Sequence, residues 1–207
     1  MKIETIEKIL NFLEEKEGHE IPEEWSSGKE KLKLIEKLEN HPDGTQYKYY
    51  GYLDLSYTNI TKLPNDLYVD GYLNLFRSNI TKLPNKLYVD GYLNLFKTNI
   101  TKLPNDLYVD GSLYLIETGI TELPDNLYVG DRLILRDCTQ LSKLPDNLYV
   151  GGDLDLRNTD ILEIPDNLYV GEGLGIYNTP ILNKYTDEEI REMITSKGGT
   201  LIGKIFR

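Results

Sequence analysis

Residue types able to carry covalent or acid–base chemistry are sparse and scattered in this chain. His19 and His41, both near the N-terminus, are its two imidazoles, and Cys138 in the second half is its one thiol. No nucleophile–base pair is expected from residues so far apart, and a single cysteine excludes an intramolecular disulfide framework. Hydroxyls are regular instead: Thr58, Ser78, Thr98, Thr118, Thr159 and Thr179 recur in step. An active site is not repeated six times, so this column predicts an internal ladder that satisfies backbone groups where a strand turns. Cys138 stands in the same register and is expected to replace one hydroxyl as a small buried residue. The carboxylates Asp70, Asp90 and Asp110 also form a column, in principle a calcium ligand set. Asp before Gly is what a tight turn prefers, the following units carry Gly130, Gly151 and Gly171, and the glycine-rich calcium repeat is absent. A turn is therefore expected there. Asn59, Asn79 and Asn99 open glycosylation-type triplets only because the repeat spells them. Neither a phosphate-binding glycine loop nor a serine elbow is found. The expectation is a protein that is no enzyme, with no cofactor and no catalytic or metal residue.

The elements that would position these columns follow from one period. Segments ending in Leu55, Leu75, Leu95, Leu115, Leu135, Leu156 and Ile176 recur every 20 residues, with one step of 21, and a fixed period of this size is the mark of a solenoid. Pro64, Pro84, Pro104, Pro124, Pro145 and Pro165 keep the same step. Within one unit, Leu67, Val69, Leu73 and Leu75 alternate with polar or aromatic residues, the period of a strand buried on one face, and Asp70-Gly71 interrupts them as a turn. Each coil thus contains one or two short strands, stacked in parallel on those of the next coil about 4.8 Å away. Two full strands per coil would straighten the stack into a β-helix-like rod, and one would give a horseshoe. The pattern allows both.

The string L-x-L-x-x-[TS]-x-I-x-x-L-P, matched by Leu73, Leu75, Ser78, Ile80, Leu83 and Pro84, resembles the leucine-rich repeat family over residues 47 to 182. Its short form is similar to bacterial effector-type repeats, with Thr or Ser in place of the usual Asn and a turn inserted between Leu67 and Leu73. The wording of the repeats, and the end segment from Tyr177 into a Tyr-Thr-Asp-Glu-Glu-Ile helix, look more like leucine-rich-repeat-like proteins of bacteriophages, a family that implies no established activity. The effector relatives that ligate ubiquitin carry a catalytic domain after the repeats, whereas here the residues after the repeats read as a cap. The resemblance implies that the Leu-x-Leu strands form the ligand-docking sheet.

The domain reading is one continuous unit: an N-terminal helical cap over 1–45, the solenoid over 46–185 and a C-terminal cap over 186–207. Ile3, Ile6, Ile9, Leu10 and Leu13 lie on one stripe of a helix over 2–17, and a second helix from about Ser27 to Glu39 is expected to bury Leu32, Ile35 and Leu38. At the far end Thr186 and Glu189 spell a capping box for a helix that turns Ile190, Met193 and Ile194 inward, and Thr200 to Phe206 reads as a final strand.

Against 23 Lys plus Arg stand 34 Asp plus Glu, a net charge of −11 that disfavours direct nucleic-acid binding. The first residues lack the basic and apolar regions of a signal peptide, and no apolar run is long enough to span a membrane, so a cytoplasmic location is expected, in the host cell if the protein is viral.

Columns that vary between units single out a recognition face. Tyr68, Tyr88, Tyr108, Tyr128, Tyr149 and Tyr169 are invariant and are assigned to the stack. The positions flanking the buried Leu-x-Leu pair change from Tyr72, Asn74, Phe76, Tyr92, Asn94 and Phe96 through Tyr114 and Ile116 to Arg136 and other charged residues. These nine residues are the expected contact set for a protein partner, since contiguous exposed aromatics are enriched at interface centres. Two other readings remain. The acidic chain could imitate nucleic acid and inhibit a DNA-binding or defence complex, although Lys62, Lys82, Lys102 and Lys143 interrupt its acids. A structural, self-assembling role predicts a homodimer, rather than a monomer, through the same aromatics.

Overall fold

A computed structural model describes residues 23–207, with side chains from residue 28 onward. His19 and the helix expected over 2–17 lie outside the described residues.

Every coil contributes two strands, one to each of two parallel eight-stranded sheets. The first sheet contains β1 (Tyr47–Tyr50), β3 (Leu67–Asp70), β5 (Tyr88–Val89), β7 (Tyr108–Val109), β9 (Tyr128–Val129), β11 (Tyr149–Val150), β13 (Tyr169–Val170) and β15 (Thr200–Leu201). The second contains β2 (Leu53–Asp54), β4 (Leu73–Asn74), β6 (Leu93–Asn94), β8 (Leu113–Tyr114), β10 (Leu133–Ile134), β12 (Leu154–Asp155), β14 (Leu174–Gly175) and β16 (Ile205–Phe206). Equivalent leucines pair one above another, as in Leu73 with Leu93 and Leu133 with Leu154. The fold is a leucine-rich-repeat-like parallel β-solenoid, and the second strand forms in every coil. Leu67, Val69, Leu73, Leu75 and Ile80 are each 0 % exposed, and burying one such side chain contributes roughly 1.5–3 kcal/mol.

Three kinds of corner close each coil. At the Asp-Gly corner successive backbones touch: the amide of Gly91 donates to the carbonyl of Gly71 at 2.7 Å. A Cβ on Gly111 would sit 2.7 Å from the backbone of Gly91, so glycine is required there by lack of room. The corner after the Leu-x-Leu strand is left-handed in every coil, with φ between 51° and 62° at Tyr57, Arg77, Lys97, Glu117, Asp137, Asn158 and Asn178. A second left-handed corner precedes the first-sheet strands at Asp66, Lys86, Asn126, Asn147 and Asn167. Asn and Asp tolerate this region because their short side chains bond locally; here they also bond between coils, Asn158 to Asp137 at 2.6 Å and Asn167 to Asn147 at 2.9 Å.

The hydroxyl ladder works within each coil. Thr58, Thr98, Thr118, Thr159 and Thr179 donate to the carbonyl three residues earlier at 2.6–2.7 Å. Cys138 occupies the same column, buried, with its thiol donating instead to the Leu115 carbonyl of the preceding coil at 3.0 Å, and burial pushes that thiol's pKa up. Ser78 is buried with no partner for its Oγ. Replacing Ser78 by Ala is therefore expected to leave stability unchanged or raised, because it removes an unpartnered buried hydroxyl, whereas Thr98→Ala costs about 1–2 kcal/mol by losing a hydrogen bond and a methyl. Urea denaturation of the two variants checks the order; an equal loss would remove the distinction.

On the outer face of the first sheet the invariant tyrosines stack ring on ring, with centroids 4.4–5.2 Å apart from Tyr68 to Tyr169. Such pairs add roughly 0.5–1.5 kcal/mol beyond area burial. The turn carboxylates serve this column: the Tyr68 hydroxyl donates to Asp90 at 2.7 Å and that of Tyr108 to Asp110 at 3.1 Å. The Tyr68 phenol is pushed up to about 12, chiefly by that bond to Asp90. Its folded-state pKa lies above the unfolded value near 10, so its contribution to stability is complete below about pH 10 and is lost as pH rises through about 12. Ultraviolet titration of phenolate should show one late-ionising tyrosine fewer in Tyr68→Phe; an unchanged curve would contradict the assignment.

Helices close the ends. α1 (Glu23–Glu39) starts earlier than expected and buries Ile35 and Leu38 against the first coil. Leu32, expected in that core, is only half-buried, because it lies toward the edge of the packed stripe. Glu39 accepts the amide of Thr61 at 2.8 Å, which ties the helix to the stack. In the last coil α2 (Pro180–Lys184) and α3 (Asp187–Ser196) take the place of the segment that bears the recurring proline in the other coils. α3 carries the Thr186–Glu189 capping box and buries Ile190 and Ile194, with Met193 partly buried. The tail differs from the single strand expected. It splits into β15 and β16 and adds one strand to each sheet, because Gly203 packs on Glu172 as the corner glycines pack on theirs.

Candidate functional site

The outer face of the second sheet has three columns of side chains that point away from the core and change along the stack. One runs Tyr52, Tyr72, Tyr92, Ser112, Arg132, Asp153, Gly173; the next runs Asp54, Asn74, Asn94, Tyr114, Ile134, Asp155, Gly175; the third runs Ser56, Phe76, Phe96, Ile116, Arg136, Arg157, Tyr177. All nine residues singled out from sequence lie on this one face.

Its N-terminal half is aromatic. Tyr72 and Tyr92 stack at 4.3 Å, and Tyr52 and Tyr114 meet the pair edge-on at 6.0 Å from either side. Phe76 stacks on Phe96 at 5.0 Å, with Tyr57 edge-on to Phe76. Cations cover part of this second row: the Arg77 guanidinium lies 5.4 Å from the Phe76 ring and the Lys97 ammonium 5.0 Å from that of Phe96. The rings therefore pack as ladders and still show surface, Tyr72 being 47 % and Tyr57 67 % exposed. Asn74 and Asn94 are engaged locally, each accepting the amide two residues on, at 3.1 and 3.0 Å. Their carboxamides shape the strand end, as Asp54 and Asp155 do in their own coils.

The C-terminal half is a charged, open groove of about 570 Å³. Gly173 and Gly175 leave its floor without side chains, Tyr114, Ile116 and Ile134 border it toward the aromatic half, and Tyr177 and Phe206 stand at the far side. A Cβ on Gly173 would strike the Phe206 ring, so that glycine is what allows the ring to lie across the floor. Asp155 is buried, and Arg157 grips it with two bonds of 2.8 and 2.5 Å. Burial alone would raise the Asp155 carboxyl, but the bonds from Arg157 outweigh it and hold the group below its usual range. The same pair raises the Arg157 guanidinium. Arg132 pairs with Asp153 at 3.3 Å, and Arg207 with Asp187 at 2.5 Å. Arg136 reaches Asp155 through one nitrogen only, at 3.3 Å, while its buried Nε has no partner.

Of the expected set, Tyr114, Ile116 and Arg136 line this groove, and the aromatic four lie beyond it. Sequence reasoning placed Asp155 and Arg157 on this face as charged residues but left them out of the contact set, and it missed Tyr52 and Tyr57 at the aromatic end and Gly173, Gly175, Tyr177 and Phe206 at the groove. The glycines carried a signal, since one coil has two of its three outward positions without a side chain while every other coil fills all three. Phe206 carried none, because its place depends on the tail completing a coil. Among the described residues, no helix is long and apolar enough to cross a membrane. Comparison with protein-family models, with curated proteins and with solved structures finds no significant match.

Proposed function

We propose that this protein is a non-catalytic interaction module that presents the outer face of its second sheet to a protein partner. One observation carries the reading: the two sheets share one core, yet the outer face of the first repeats a single tyrosine column while that of the second changes in all three columns between the N-terminal and C-terminal ends of the stack. A face that only stabilised the stack would repeat as the tyrosines do. Half-exposed aromatics and arginines are also the residue types that dominate binding energy at interfaces. The solenoid supplies a rigid platform, so the mode of action is occlusion or scaffolding of the partner.

The test compares affinity capture from a cell extract by the wild type, by a Tyr72, Phe76, Tyr92 and Phe96 to Ser variant, and by Tyr128→Ser on the opposite sheet. Both variants are first confirmed folded by circular dichroism. The expected result is a protein retained by the wild type and Tyr128→Ser and lost with the fourfold variant. Retention by all three would overturn the choice of face, and a concentration-dependent dimer broken by the fourfold variant would favour self-assembly instead.

A further inference from the structure

We propose that the groove over Gly173 and Gly175 receives an acidic peptide segment of the partner, with a carboxylate seated on Arg136. The inference rests on the reading of this face as a protein-binding surface and states the chemistry of one part of it. The chain as a whole carries a net charge of −11, yet the groove is lined by four arginines, Arg132, Arg136, Arg157 and Arg207, against two aspartates, Asp153 and Asp155. The sign of the charge is reversed where the surface is concave, and a concave patch of one sign selects the opposite sign in its ligand.

The arginines are not equally engaged. Arg157 is committed to Asp155 by two bonds, Arg132 to Asp153 and Arg207 to Asp187. Arg136 makes a single 3.3 Å bond, and its Nε is shielded from water without an acceptor. The Arg136 side chain is nevertheless 42 % exposed, so the end of the guanidinium away from Nε can donate a charge-assisted bond to an incoming carboxylate. Asp155 is shared: its oxygens accept two bonds from the Arg157 guanidinium, and Arg136 has only the 3.3 Å bond to Oδ2. Phe206 covers Gly173 while the floor over Gly175 stays bare, which gives a short extended segment room there, and Tyr114 and Tyr177 provide ring surface at the two ends. An acidic peptide with aromatic neighbours meets all three features.

The probe is a fluorescein-labelled peptide alternating glutamate and tyrosine, read by fluorescence anisotropy against its glutamine counterpart and a labelled oligothymidylate. The glutamate peptide is expected to bind more tightly than the glutamine peptide, with an affinity that falls as salt rises. Arg136→Gln should weaken it about tenfold, the worth of one charge-assisted bond. Ile134→Glu keeps every arginine and places a carboxylate of the chain itself in the groove; it should weaken the peptide comparably, so a folding defect in one variant does not decide the matter. Equal binding of the two peptides, no binding at millimolar peptide, or unchanged affinity in both variants would overturn the proposal, as would tighter binding of the oligothymidylate through Arg136. The partner-capture experiment is read separately: absence of specific peptide binding while the aromatic variant still loses the partner sinks the groove's assignment alone, and specific peptide binding while that variant keeps the partner sinks the aromatic part of the face alone.

Discussion

Leu115→Ala is expected to lower stability by about 3–4 kcal/mol and to divide the unfolding transition in two. Leu115 is 0 % exposed at the middle of the stack, and its deletion to Ala leaves a cavity as well as removing buried surface, a combination that costs about 2–5 kcal/mol in packed cores. A globular core would spread that loss over one cooperative transition. In a solenoid each coil touches only its neighbours, so stability is close to a sum of coil and interface contributions, and a weak central coil uncouples the two sides. Its amide donates to Ile134 of the next coil at 2.9 Å, so the defect lies on the path that joins them. Denaturation followed by both circular dichroism and tyrosine fluorescence should show probes that no longer coincide. Leu162→Ala, at a residue 54 % exposed, should change stability by less than about 0.5 kcal/mol. A single transition with an unmoved midpoint in Leu115→Ala would contradict the one-dimensional picture.

Gly151→Ala should be nearly as damaging, at about 3 kcal/mol, for a change of one methyl. Its φ is not in the left-handed region, so the cost is steric. A Cβ there would overlap the carbonyl oxygen of Gly130 in the coil below, a backbone atom that cannot rotate away. Coils would have to separate at this corner, stretching the bond from the Gly151 amide to the Val129 carbonyl, now 3.0 Å. Gly119 is the control. Its Cβ would lie 3.6 Å from a threonine methyl, an ordinary contact, and Gly119→Ala is expected to stabilise by about 0.4–1 kcal/mol through the unfolded chain. Thermal melts of both variants decide the matter; a mild Gly151→Ala would mean that the stack yields at its corners.

Much of this architecture was legible because a solenoid repeats its local rules. The leucine column, the threonine ladder and the tyrosine stack each recur often enough that periodicity identified them, and the Thr186 capping box was readable from two residues. The left-handed corners were legible only in part. Asn158, Asn167 and Asn178 are residue types that favour such a backbone, but Arg77, Lys97 and Glu117 hold the same conformation without any preference for it. Their φ is imposed by hydrogen bonds to neighbouring coils, such as that from the Arg77 amide to the Phe96 carbonyl at 3.1 Å.

For the candidate site, the face was identifiable from variation between units, but its division was not. Sequence placed Arg136 at the end of an aromatic surface; the structure places it in a groove whose other half comes from Asp155, Arg157 and a tail residue, Phe206. What the sequence alone determined was the period, the inward leucines, the caps and the face that varies, because each depends on residues within one repeat. Whether each coil holds one strand or two, where the chain turns left-handed, and which arginine is left with an unpaired nitrogen were decided only by the tertiary structure, because these depend on backbones and charges from different coils brought within hydrogen-bond reach.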